Sequence, residues 1–95
     1  MDNEIQMLAA LQNKAKGGHL KLYTKFDIGT NGEYIVCGEV HGDPRWADGM
    51  LIHTSLVIHH YEDEKILETR NTYYTLGEEI TEDDKIERSR LLSAL

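Results

Sequence analysis

The sequence predicts a small α+β domain: an antiparallel sheet or partly closed barrel of four to five strands, flanked by an N-terminal and a C-terminal helix. Three observations predict it. Apolar residues near the start repeat at helical spacing, the middle alternates apolar with polar residues between glycine-bearing turns, and a helix-capping threonine precedes the last segment. At 95 residues the chain has room for one domain, and oligomerisation is a common way for so short a chain to gain burial.

The first helix is expected over 3–16. Asn3 can cap it with Gln6 as capping-box partner, Ile5, Leu8, Leu11 and Ala15 form one stripe, and Gly17-Gly18 would end it. Residues 20–28 alternate, with Leu20, Leu22, Thr24, Phe26 and Ile28 on one face, as in a half-buried strand. Gly29-Thr30-Asn31-Gly32 is a hairpin turn, since Asn-Gly tolerates positive φ. Residues 33–40 form the return strand, and Gly38 marks a bulge there.

Gly42–Gly49 reads as a loop carrying the chain's one proline and one tryptophan, with Trp46 folding over the end of the core. A long third strand is expected over 50–61, then a charged turn at Glu62-Asp63-Glu64-Lys65. Residues 66–70 and 72–76 follow as one bent strand or two short ones. Thr81 caps the second helix, with Asp84 three residues on. Leu91, Leu92 and Leu95 make an apolar patch at its end, and Ile86 points elsewhere, so one surface would pack on the sheet and another on a second subunit.

The net charge is −7 and uneven: residues 62–95 hold ten acids and five bases, against seven and five in residues 1–61. An acidic chain is a poor binder of duplex nucleic acid, although a local arginine pocket can still hold a small anion. The chain opens on Met1-Asp2-Asn3-Glu4 without a secretory signature, and no run approaches the roughly 20 apolar residues of a membrane span, so a cytoplasmic location is expected. Cys37, the one cysteine, reads as a buried, inert thiol.

Catalytic and metal constellations do not emerge. His53 and His59 share a strand face but stand six residues apart, about 20 Å along a strand, too far to share an ion. Ser55 lies two residues from His53 without a third member of a triad. No glycine spacing matches a phosphate loop, and no cofactor or metal is expected.

The segment Glu68–Gly77 and the helix after it carry the sharper chemistry. Tyr61 offers an aromatic face, Asn71 an amide edge, Thr72 a hydroxyl, and Arg88 and Arg90 guanidinium groups about 200° apart on the helix. An adenine can stack between Tyr61 and Arg88, pair with Asn71, and leave ribose or phosphate to Thr72 and Arg90. Tyr61 and Asn71 meet only if the strand bends or a second subunit contributes. Arg45, beside Trp46, is a further ligand or interface candidate. The plain structural alternative pairs Asp84 with Arg88 and uses Tyr61 to cover the core edge.

At these residues the chain resembles a phage family, the first type of Thoeris anti-defence sponge, over roughly 20–92. The shared features are Gly38-x-x-x-Gly42-x-Pro44-x-Trp46-x-Asp48-Gly49, a long strand ending in Tyr61, Glu68-Thr69-Arg70-Asn71-Thr72, and the arginine-bearing last helix. The resemblance implies a non-enzymatic homo-oligomer, dimer or higher, in the host cytoplasm during infection. It would sequester a small cyclic nucleotide, a cyclic ADP-ribose isomer and in some members cyclic oligonucleotides, and so keep the defence effector inactive. By the same resemblance Tyr61 stacks on adenine, Asn71 hydrogen-bonds it, and Arg88 stacks or holds phosphate. Leu92 stands where the pattern leads to a second helix arginine one turn later. Two other readings stay open: an acidic inhibitor of a host defence protein or nuclease that mimics nucleic acid, and a small hydrolase of the same nucleotide.

Overall fold

The computed structural model describes residues 2–93, without the side chains of residues 2–4, 89, 91 and 92. The Asn3 cap and the Leu91, Leu92 and Leu95 patch therefore fall outside the described residues. The elements run α1 (Asp2–Leu11), β1 (Ala15–Asp27), β2 (Tyr34–His41), β3 (Met50–His53), β4 (Val57–Tyr61), β5 (Ile66–Thr69), β6 (Thr72–Leu76) and α2 (Glu82–Ser93). No helix among the described residues is long and apolar enough to cross a membrane.

The α+β class holds, but the sheet has six strands and is mixed, in the order β3-β2-β1-β6-β5-β4. Two antiparallel meanders, β1-β2-β3 and β4-β5-β6, join along a parallel β1–β6 seam. The seam continues beyond β6: Gly77 N donates to Leu20 O, Tyr23 N to Glu78 O, and Ile80 N to Tyr23 O.

Three boundaries differ from expectation. The first helix stops at Leu11, and Gly17-Gly18 lie inside β1 rather than at a helix end. These glycines answer crowding: a Cβ on Gly17 would fall 2.7 Å from the Tyr74 ring, and one on Gly18 would fall 2.5 Å from the His41 carbonyl oxygen. Next, β1 does not alternate cleanly. Leu22 and Tyr23 together face Gly38, so the bulge foreseen at Gly38 carries its extra residue on β1, with Leu22 at φ 51°. Leu22 is exposed as a result, and Ile28 is exposed because it lies past the end of β1.

Third, the long strand over 50–61 breaks after His53, which leaves Ser55 outside any strand. Thr54 causes the break. Its Oγ1 accepts the Val36 N–H at 3.0 Å and donates to Ser55 O, while Thr54 N donates to Val36 O. The chain then crosses from one sheet edge to the other. Flat, those edges would lie about 24 Å apart, whereas His53 to Val57 spans at most about 15 Å. The sheet must therefore coil strongly, although β3 and β4 do not pair.

The coiled sheet encloses the core: Leu20, Val36, Val40, Ile52, Leu67, Tyr74 and Leu76, with Tyr23, Tyr34, Trp46 and Val57 against them. No helix residue belongs to that cluster. Met7 and Leu11 of α1 are buried apart from it, while Ile5 and Leu8 stay exposed. The hairpin at 28–33 forms as the sequence indicates, closed by Ile28 N to Glu33 O, with Gly32 at φ 79°. Thr81 caps α2, its Oγ1 accepting the Asp84 N–H at 3.3 Å.

Candidate functional site

Tyr61 ends β4, an edge strand paired on one side with β5. Its hydroxyl donates to Glu68 Oε1 at 2.7 Å, and its ring lies 4.2 Å from the His59 ring, tilted by 52°. His59 and Tyr61 share a face because they are two residues apart on a strand. Glu68 is buried, and Lys14 reaches it at 2.5 Å between Nζ and Oε2. The same ammonium donates to Thr69 O at 2.6 Å.

Burial opposes ionisation of Glu68, but hydrogen bonds from Lys14 and Tyr61 outweigh it and hold its pKa below the ordinary value. Burial, then the bond to Glu68, pushes the Tyr61 hydroxyl up to about 12, so it remains a donor at neutral pH.

This cluster adjoins a cavity of about 600 Å³ between α1 and β4, lined by Gln6, Ala10, His59, His60, Tyr61 and the Glu62–Glu64 turn. That volume is in the range of small-ligand sites. The cavity carries an aromatic wall and an acidic rim. His60 has its pKa lowered, chiefly by burial and next by Lys25, so it is neutral at pH 7 and leaves the rim negative.

The other candidate residues lie elsewhere in the chain. Asn71 is exposed at the β5–β6 turn, its carbonyl accepting Ala15 N–H at 2.9 Å. Tyr61 pairs with Ile66 at the opposite end of β5, about 15 Å from that turn at strand spacing. Thr72 is half-buried, and its carbonyl accepts the Thr69 hydroxyl. Arg88 sits against the β1–β2 side, where Nη1 donates to Leu22 O and Nη2 lies 3.9 Å from Glu39. Counted along the sheet, strands β6 and β5 lie between that position and Tyr61. Leu22 has its carbonyl free for Arg88 because the β1 bulge interrupts the ladder there. Arg90 is exposed.

Arg45 occupies a different cluster. Its Nε and Nη2 grip Asp43 at 3.0 and 2.7 Å, Nη2 also donates to the Tyr74 hydroxyl, and the guanidinium lies 4.2 Å over the Trp46 ring. Asp43 further accepts the Gly18 and Arg45 backbone N–H groups. The side-chain bond to Arg45 outweighs burial and holds Asp43 at about 2. Trp46 packs on the core as the sequence indicates, and Arg45 ties this loop to Tyr74 of β6 while its side chain stays half exposed.

The arrangement offers stacking and hydrogen bonding. Burial pushes the Cys37 thiol up to about 11, which keeps it protonated. Among the described residues, no three His, Cys, Asp or Glu side chains cluster closely enough to hold a metal ion. As site residues, Lys14, Gln6 and His59 escape a reading of the sequence, and Glu68 enters it only as the first residue of the polar segment. The one signal for them is Glu68 itself, a carboxylate directly after Ile66-Leu67 in a strand of four residues. Compared with known proteins, the chain matches no family model, no curated protein and no solved structure.

Proposed function

We propose that this protein is a non-enzymatic capture protein for a small cyclic nucleotide, a cyclic ADP-ribose isomer or a cyclic oligonucleotide, and that it withholds this signal from a host antiphage defence. The observation that carries the reading is the cavity of about 600 Å³ walled by Tyr61. A base inserted there would stack on the ring and find the Gln6 amide within the same lining. The acidic rim turns phosphates away from the turn at Glu62–Glu64. Asn71 of the same chain lies at the far end of β5, and Arg88 is engaged by Leu22 O and Glu39. In this reading a second copy supplies them, which makes the functional unit a homo-oligomer.

Capture works through affinity: ligand is withheld in proportion to protein concentration, with about 1.4 kcal/mol per tenfold in Kd. Calorimetry with cyclic ADP-ribose isomers and cyclic oligonucleotides tests the reading. Saturable binding is expected, with intact ligand recovered after heating the complex. No binding at tens of micromolar protein overturns it, and cleaved ligand turns it toward a hydrolase. Arg88→Lys is a better probe than Arg88→Ala, because Arg88 also ties α2 to Leu22 O.

A second reading has its own observation. Glu78, Glu79, Glu82, Asp83, Asp84 and Glu87 are all exposed along one short stretch. Such a face can cover a basic nucleic-acid-binding surface of a host protein. Association would then weaken steeply with salt, and a basic partner should be retained from host lysate at low ionic strength. Recovery of none removes this alternative.

A further inference from the structure

Tyr61 poses a mechanical question. It stands at the end of an edge strand, and β4 is paired on one side only. The β4–β5 ladder also shifts register between Val57 and His59. Neither feature fixes the direction of a large ring at a cavity mouth. The ring is nevertheless tied by its hydroxyl to Glu68 Oε1 at 2.7 Å. Glu68 is held in turn by Lys14, whose ammonium is also bonded to the Thr69 carbonyl. Lys14 belongs to the short link between α1 and β1, and the next residue, Ala15, donates its N–H to Asn71 O. The ring is thus referred to the middle of the sheet through a chain of direct contacts.

A buried lysine–glutamate pair is weak evidence for stability, because apolar residues of similar volume often replace such a pair at no cost. Such residues could neither grip the Tyr61 hydroxyl nor donate to the Thr69 carbonyl, and of the two only the first bears on the cavity wall. We infer that Glu68 is a positioning residue: clamped by Lys14, its carboxylate sets the Tyr61 ring as a fixed wall of the cavity between α1 and β4, so that an aromatic ligand meets a stacking face already in place. The ligand half of this inference rests on the nucleotide reading above, while the fixing of the ring does not.

Ordering one free side chain on binding costs enough to weaken affinity roughly 2- to 10-fold. Releasing the ring beforehand should cost the ligand that factor. The experiment uses the full chain with ring-labelled tyrosine and phenylalanine, the double variant Lys14→Met/Glu68→Leu, and the single variant Tyr61→Phe, which deletes only the gripped hydroxyl, as a milder companion should the double variant fail to fold. Aromatic NMR without ligand reads the contact between the Tyr61 and His59 rings, and calorimetry with cyclic ADP-ribose reads affinity. The expected result is loss or averaging of the ring contact, with affinity for cyclic ADP-ribose down by that 2- to 10-fold. An unchanged ring contact in a folded variant overturns the inference, as does a released ring with unchanged affinity. If the unaltered protein binds no cyclic ADP-ribose, the nucleotide reading fails by itself, and the ring contact still decides whether Glu68 fixes Tyr61.

Discussion

Asp43 and Glu68 are both buried carboxylates held by one cation with a tyrosine alongside, yet the two clusters are assembled from very different spans of chain. Asp43 meets Arg45 two residues away, and the tyrosine that joins them, Tyr74, is itself a core residue. Glu68 meets Lys14, 54 positions earlier, and the tyrosine it holds lines a cavity. The arginine fork closes on its aspartate with three donors counting its own backbone N–H, and so pins the loop. The lysine cluster binds only the tip of its tyrosine and leaves a ring face at the cavity wall. Equivalent groups therefore close a loop in one place and present a surface in the other.

The largest expected effect breaks the first cluster. Asp43→Ala removes the acceptor for Gly18 N and releases the Arg45 guanidinium. It should cost about 2–3 kcal/mol, chiefly for the Gly18 N–H left without its acceptor, since the half-exposed Arg45 can turn to water, read as a lower denaturation midpoint in urea. A loss below about 1 kcal/mol would mean that the loop does not secure the end of the core.

Acid should discriminate next. Asp43 has a folded pKa of about 2, below its ordinary 3.8, so its contribution is complete above pH 4 and is lost as pH falls toward 2. The lost stability amounts to about 2 kcal/mol. Glu68 is shifted in the same direction and adds to the same limb. Denaturation midpoints between pH 2 and 5 should therefore flatten in Asp43→Asn. An unaltered acid limb in that variant would assign the loss to other carboxylates.

The smallest effects sharpen the comparison. Tyr74→Phe and Tyr61→Phe each delete one hydroxyl and should each cost about 1 kcal/mol. They should part on ligand affinity, which falls for Tyr61→Phe and stays for Tyr74→Phe. Equal behaviour in a cyclic ADP-ribose titration would erase the functional distinction between the clusters.

Elements set by local chemistry were legible in the sequence. The 28–33 hairpin and the Thr81 cap follow from neighbours within a few residues, and the buried Cys37 and the placement of Trp46 on the core follow from their apolar character. What escaped depends on distant partners. Gly17-Gly18 looked like a helix stop because the Tyr74 ring and the His41 carbonyl that crowd them are far away in sequence. Thr54 looked like any strand threonine, since its effect comes from capturing Val36 N. The same holds for the site. Tyr61, Asn71 and Arg88 were visible as residue types, but the ladder that places Tyr61 and Asn71 at opposite ends of β5 was not. Lys14, its role fixed by Glu68, carried no local sign of it.

The parallel seam between β1 and β6 also carries a kinetic consequence. Within each meander the neighbours are joined by short turns or loops, so each can begin to form from nearby contacts. The seam instead sets Ala15 beside Thr72, and such a contact requires closing a long loop before any hydrogen bond repays it. The two halves should therefore gain structure early and dock late, with the Thr54–Leu56 crossing acting as the tether that keeps their encounter intramolecular. On a ribosome, the first half would be made and waiting before β6 emerges.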